Sequence, residues 1–297
     1  MKVYFDNAAT TAIDEEVLAA MMPYLTEHFG NPSTQYSFGR DTRAAVEEAR
    51  KTIAQLINAS AGEIIFTSGA TEANNMAIKG SVNYLGVERI ITSPIEHHCV
   101  EYSVDFCRDN LQVETAMVKI DGNGNVDLED LENLLKASDK KTLVTLMHAN
   151  NEIGTLLDIE KAGALCKQYH ALFHSDTVQT FAHFPIDVQK MNIDFLSGAA
   201  HKFHGPKGIG FLYMRKQNKV QPFIHGGGQE RGFRAGTENV YGIVGMAAAA
   251  KKAYANLEND RAYILDLKNY FITKLKENFP DIDFNGNIDE RSLFTVL

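Results

Sequence analysis

Between residues 64 and 214 the chain alternates short apolar runs with longer amphipathic ones, and this rhythm limits its fold more than any other feature. Residues 64–67, 89–92, 113–118, 143–147, 172–176, 195–197 and 209–214 are short runs with apolar residues, as buried strands are, the fifth ending at Ser175-Asp176. Between them, residues 70–84, 96–108, 128–136 and 159–169 carry apolar side chains at helical spacing. Strands that alternate with helices predict an α/β fold, a mostly parallel sheet covered on both faces. Ligands of such sheets bind beyond the carboxyl ends of the strands. Ahead of this region, Asp14 is placed to cap a helix running to about residue 28, with Val17, Leu18, Met21, Met22 and Leu25 on its apolar face. Gly30-Asn31-Pro32 ends it, and a second helix covers about 40–58. After Gly226-Gly227-Gly228 a long helical pattern spans 240–278, with a break expected near Asn259. Residues 282–284 and 293–297 read as strands, so the chain stops inside an apolar run.

Composition narrows the function. A formal net charge of -9 argues against a nucleic-acid binder, which usually presents a basic face. No apolar stretch approaches the length of a membrane helix, and the N-terminus lacks the apolar core of a signal peptide. The three cysteines, Cys99, Cys107 and Cys166, show neither metal nor redox spacing, which fits a reducing cytoplasm.

The segment 195–211 runs from an apolar start through Ser197-Gly198-Ala199-Ala200 to His201-Lys202, then through a glycine-rich turn into a second apolar run. It puts Lys202 at a strand end where a tight backbone admits a bulky ligand. Most lysines are simply solvated. A lysine so placed can instead form a Schiff base with a carbonyl cofactor such as pyridoxal phosphate (PLP). Ser68-Gly69-Ala70-Thr71 lies at a strand-to-helix turn, where free amides form an anion site. A plain helix cap is the commoner meaning of that pattern. Asp176 closes a buried strand and needs a partner, either a protonated pyridine nitrogen or the amides of a following helix. Gln179 either donates to a ring oxygen or faces solvent. His97 could stack on a flat ring and move protons, but the His97-His98 doublet leaves open which one matters. His148 and Asn150-Asn151-Glu152 bunch polar groups at another strand end, which suggests a site.

Taken together, the chain resembles the cysteine desulfurases of the class V aminotransferase family, fold type I PLP enzymes. The resemblance spans the whole chain. It rests on Asp6-Asn7-Ala8-Ala9-Thr10-Thr11, Gly30-Asn31-Pro32-Ser33, Thr67-Ser68-Gly69-Ala70-Thr71-Glu72, Glu96-His97, Asn150-Asn151-Glu152-Ile153-Gly154, Asp176-Thr177-Val178-Gln179, His201-Lys202, Gly205-Pro206-Lys207-Gly208, Gly226-Gly227-Gly228 and Arg234-Ala235-Gly236-Thr237-Glu238-Asn239. It implies that Lys202 holds PLP covalently, Asp176 faces the pyridine nitrogen, and Gln179 faces the ring hydroxyl. His97 would stack and shuttle protons, while Ala70, Thr71 and His201 would hold the phosphate. Asn151 would lie near the ring and the substrate carboxylate. Thr237 would reach the phosphate of a second subunit, making a homodimer. The implied reaction takes L-cysteine to L-alanine and passes sulfur to a protein acceptor or scaffold, in iron–sulfur cluster biogenesis. Transaminase or lyase chemistry, and a non-catalytic PLP-binding partner protein, are the alternatives.

Two departures stand out. The family usually has serine where this chain has Ala199, which removes a phosphate ligand, and Ser197 is in reach only if the strand end is remodelled. The family's nucleophilic cysteine and carboxylate-binding arginine would lie beyond residue 297, so the expected small domain is incomplete: 1–14 with 251–297, beside a large PLP-binding domain of 15–250. Cys99, Cys107 and Cys166 are expected to be inert on helices. About 100° separates successive helical residues, so Cys99 should point away from a ring stacked on His97.

Overall fold

The computed structural model describes residues 2–289 and Ser292. Seven strands form one sheet: β1 (Ile64–Thr67), β2 (Arg89–Thr92), β3 (Glu114–Met117), β4 (Thr142–Thr145), β5 (Leu172–Asp176), β6 (Phe195–Ala199) and β7 (Gly210–Met214). Their spatial order is β1-β7-β6-β5-β4-β2-β3. Every neighbouring pair is parallel except the two made by β7, which runs antiparallel to both β1 and β6.

The helices are α1 (Glu15–Thr26), α2 (Ser37–Leu56), α3 (Ala70–Leu85), α4 (His98–Leu111), α5 (Leu128–Lys136), α6 (Ile159–Gln168) and α7 (Val240–Asn278). Asp14 caps α1 by accepting from the Glu16 and Val17 amides at 2.8 and 3.4 Å. Side chains of a strand alternate between faces, and here the alternation divides the core in two. Ile64, Phe66, Ile91, Val144, Phe173, Leu196, Phe211 and Tyr213 pack under α1, α2, α5, α6 and the start of α7. Ile65, Ile90, Leu143, Phe195, Leu212 and Met214 pack under α3 and α4. The result is the three-layer arrangement expected of the alternating pattern, with the sheet covered on both faces except at the edge strand β3, which is partly exposed.

Two expectations fail near the C-terminus. α7 is continuous for 39 residues, with no break at Asn259. An asparagine costs a helix only a few tenths of a kcal/mol, and no glycine or proline stands nearby to add to it. Residues 282–284 form no strand; the Ile282 amide turns back to the Phe279 carbonyl at 3.2 Å. The expected strand at 293–297 lies outside the described residues.

Candidate active site

Because β7 is reversed, the carboxyl ends of β1, β2, β4, β5 and β6 all open on one edge of the sheet. A cleft of about 840 Å³ lies there, within the usual range for a cofactor site. Its floor begins where β1 turns into α3. Gly69 is the N-cap of that helix and no side chain caps it, so the amides at Ala70 and Thr71 face the cleft without the expected cap. Ser68 instead donates to Glu72 Oε2 from both its amide (2.8 Å) and its hydroxyl (2.6 Å). Gly210, at the start of β7, presses against this turn; a Cβ there would come within 2.8 Å of the Gly69 backbone.

Lys202 enters from the short helical turn after β6, and its Nζ donates to the Ala8 carbonyl. Gln179 Nε2 donates to the same carbonyl at 3.0 Å. The N-terminal segment 6–10 therefore lies across the cleft mouth, joined also by Thr10 Oγ1, 3.1 Å from His201 Nδ1. Burial lowers the Lys202 ammonium below its ordinary range, opposed by the charges of Asp176 and Asp6. A lysine so treated is closer to a free amine, the form that condenses with an aldehyde.

Asp176 ends β5 with 5% of its surface exposed. Its Oδ1 accepts from the Val178 amide at 2.9 Å, and its Oδ2 from Asn74 Nδ2 at 2.7 Å. Burial raises its carboxyl. The hydrogen bonds from Val178 and Asn74, and then the charges of His97 and Lys202, oppose that shift. The local amide bond expected of a capping aspartate is present, yet the residue also lines the cleft.

His97 is the one of the doublet that lines the cleft. His98 turns outward, stacks on Tyr102 with centroids 5.5 Å apart, and pairs with Glu101. Cys99 does not face away. It lines the same cleft, with Sγ 3.0 Å from His97 Nδ1 and 3.2 Å from Asn74 Nδ2. The rotation argument fails because His97 is the N-cap of α4, in extended geometry (φ -64°, ψ 144°), and not a helical residue. Burial pushes the Cys99 thiol up to about 11, with the Asp176 charge adding to it.

Asn151 and Glu152 line the cleft and hydrogen-bond to each other at 2.7 Å. Asn150 serves the loop itself, donating to the Ile95 carbonyl at 2.7 Å and accepting from the Glu152 and Ile153 amides. His148 is a core residue, paired with Thr180 Oγ1 at 2.9 Å and held down to about 4 by burial. It takes no part in the cleft. Ala199 lines the cleft at the position where the family usually has serine, and Ser197 does not replace it. β6 is regular through this point, and the Ser197 hydroxyl is buried without a partner.

Thr237 stands apart. It is exposed and lines a neighbouring cavity of about 230 Å³, whose wall is shared with the cleft at Ser68, Gly208 and Ile209. The segment before it is anchored by Arg50, which donates to both Glu230 oxygens at 2.6 and 2.9 Å in the buried interior. Glu230 and Arg231 accept left-handed backbone (φ 45° and 58°) to keep that pairing.

The residues present suit PLP. They supply an amine for its aldehyde (Lys202), a buried carboxylate for its ring nitrogen (Asp176) and an amide donor for its phenolic oxygen (Gln179). An uncapped helix start with His201 suits its phosphate. Sequence reasoning passed over Asn74 and the Ala8 carbonyl, and turned Cys99 the wrong way. Asn74 could have been found: an asparagine amid Ala73, Met76 and Ala77 on the buried face of a helix must have a partner. Among the described residues no helix is long and apolar enough to cross a membrane, and no cluster of potential metal ligands occurs.

An uncapped helix start, a half-buried lysine and a buried aspartate lining one cleft at the edge of a mostly parallel sheet fit a PLP-binding enzyme of the aminotransferase type. The model of the class V aminotransferase family matches residues 3–296, and the chain belongs to that family of PLP-dependent enzymes. Within it, the chain is 47% identical over 287 residues to cysteine desulfurase IscS of Dictyoglomus turgidum, covering 96% of this chain and 72% of that one. It is 45% identical to a mitosomal cysteine desulfurase of Trachipleistophora hominis, covering 98% of this chain and 67% of that one. Among solved structures, a NifS-like protein superposes with a TM-score of 0.91 at 37% identity, covering 97% of this chain and 79% of its own. Another, described as SspA in complex with cysteine, gives 0.79 at 39% identity and covers 84% of this chain and 72% of its own.

Proposed function

We propose that this chain is a PLP-dependent cysteine desulfurase that takes sulfur from L-cysteine and leaves L-alanine. The observation that carries the reading is Lys202 and Asp176 in one cleft, the amine loosened by burial and the carboxylate held by two donors. Bound PLP supplies an electron sink for the bonds at the amino acid's α-carbon. Lys202 would hold the cofactor and move a proton at its Nζ. Asp176 would sit at the ring nitrogen and favour its protonated form. Gln179 donates to the ring oxygen, and Ala70, Thr71 and His201 hold the phosphate. His97 covers the ring face and moves protons, and Asn151 meets the substrate carboxylate. The Ala8 carbonyl, shared by Lys202 and Gln179, keeps the N-terminal segment over the cleft and helps exclude water.

The sulfur acceptor is a thiol other than Cys99, Cys107 and Cys166. Burial pushes the first two up to about 11 and the third higher still, so all three stay protonated near neutrality. We further propose a two-fold dimer, in which Thr237, exposed and outside its own cleft, serves the phosphate of the second copy. Domains of 15–250 and of 1–14 with 251–297, and a reducing cytoplasmic setting, complete the reading.

The test combines two measurements. Borohydride reduction of the PLP-loaded protein and peptide mapping should place the pyridoxyl group on Lys202. Incubation with L-cysteine and a thiol acceptor should release alanine. A label on Lys207, or pyruvate as the product in place of alanine, would defeat the reading.

A further inference from the structure

Asn74 lies at the start of α3, fully buried, and every polar atom of its amide is used. Nδ2 donates to Asp176 Oδ2 at 2.7 Å and to Cys99 Sγ at 3.2 Å. Oδ1 meets His174 Nε2 at 3.0 Å, and His174 Nδ1 meets Thr145 Oγ1 at 2.7 Å. His174 and Thr145 are also fully buried. The directions follow from what each atom can do. An amide oxygen only accepts, so His174 donates from Nε2. Burial keeps the imidazole neutral, down to about 3, so its Nδ1 is bare and takes the Thr145 hydroxyl proton. Flipping the Asn74 amide would set its oxygen against the Asp176 carboxylate oxygen and lose that bond, even if His174 changed tautomer to accept from the amide. The chain Thr145 to His174 to Asn74 to Asp176 therefore has one direction, and it ends as a donor on the carboxylate.

We propose that Asn74, oriented by His174 and Thr145, is a positioning residue that holds the Asp176 carboxylate ionised and aimed at the ring nitrogen of PLP. The proposal rests on the reading of Asp176 given above and goes beyond it by naming what makes that carboxylate serviceable. A carboxylate this deep loses its charge unless donors compensate for the lost water. Val178 supplies one such donor from the backbone, at 2.9 Å. The other comes through three side chains drawn from α3, β4 and β5. Val178 serves Oδ1 and Asn74 serves Oδ2, so the two oxygens are held separately and the plane of the carboxylate is set.

The test measures PLP dissociation constants and the visible spectrum of the bound cofactor in the full chain, after thermal melts confirm folding. Asn74→Ala removes the donor to Asp176, and PLP affinity should fall by on the order of ten- to a hundredfold, the cost of a lost hydrogen bond to a charged group. The visible band should shift as the ring nitrogen loses its proton. Thr145→Val keeps the volume but removes the hydroxyl that orients His174, and should weaken binding severalfold with the same spectral shift. Thr145→Ser restores the hydroxyl and should restore both. Because Thr145→Val is nearly isosteric, it decides the matter if Asn74→Ala fails to fold. Wild-type affinity and spectrum in folded Asn74→Ala or Thr145→Val, while Asp176→Ala loses both, would overturn the proposal alone. An Asp176→Ala protein with the wild-type affinity and spectrum would instead overturn the underlying reading of how the ring sits.

Discussion

Glu96, bonded to the amide of the cleft-lining Met147, offers a measurable pH effect. Its Oε1 accepts from Ser93 Oγ at 2.7 Å and from the Met147 amide at 2.9 Å, while Oε2 is sealed from solvent without a partner. Burial pushes its carboxyl up from the ordinary 4.5 to about 8; the two hydrogen bonds offset part of this and the Asp176 charge adds to it. The folded state therefore keeps a proton that the unfolded chain gives up. Below the ordinary value both states are protonated and Glu96 has no effect on pH dependence. Across the window from 4.5 to about 8, stability falls as pH rises, by up to about 1.4 kcal/mol per unit. Above it the loss is complete. The residue as a whole is only half-buried, so the realised loss is smaller than the ceiling, on the order of 2–3 kcal/mol. Glu96→Gln keeps the accepting oxygen and replaces the acid proton with an amide that never ionises. Urea unfolding of the PLP-saturated proteins should give stabilities within about 1 kcal/mol of each other near pH 5, and a variant more stable by about 2–3 kcal/mol near pH 9. An equal gap at both pH values, or a more stable wild type at the higher one, would refute the account.

Ala199→Ser restores a hydroxyl beside the proposed phosphate position and should tighten PLP binding by about tenfold or more, since a hydrogen bond to a charged group contributes roughly 1.5–3 kcal/mol; unchanged affinity would mean that the phosphate lies elsewhere. If Thr237 acts across a dimer, a hybrid of one Lys202→Ala and one Thr237→Val subunit keeps one intact site and binds PLP with wild-type affinity there, whereas action within one subunit leaves none. After exposure to L-cysteine, mass spectrometry should find no persulfide on Cys99, because a thiol raised to about 11 is ionised to about one part in ten thousand near neutrality. A stable persulfide on that residue would contradict the assignment.

The layers of the fold were readable because strand and helix periods differ, and each of the seven strands falls within a few residues of its apolar run. The reversal of β7 was not, since a period of two carries no direction. Lys202, Asp176 and the α3 start were readable as strand-end residues. The choice between His97 and His98 was not, because it turns on an N-cap geometry that releases His97 from helical phasing. The same geometry brings Cys99 into the cleft. His148 misled for the opposite reason. Its strand-end position resembles that of a site residue, but Thr180 satisfies it within the core. Ala8 contributes only a backbone carbonyl, which no side-chain pattern reveals.

The cleft depends on α3 more than on any strand. Its first residues, Ala70 and Thr71, present amides at one end of the cleft, and Asn74, about one turn on, holds Asp176 at the other. In the proposed reading these are the phosphate and nitrogen ends of one flat molecule. Their separation is then set by helix geometry, about 1.5 Å per residue, and not by loop closure. The helix is itself locked in place. Ala73, Met76 and Ala77 pack on the sheet, and Arg234 pairs with Glu72 at 2.9 Å from the segment that carries Thr237. A shift of α3 would move the Ala70 and Thr71 amides and the Asp176 donor together, and would also strain the Thr237 segment through Arg234. With the phosphate end and the nitrogen end of the proposed site both on α3, conservative changes in the α3 core should alter cofactor affinity and spectrum in step.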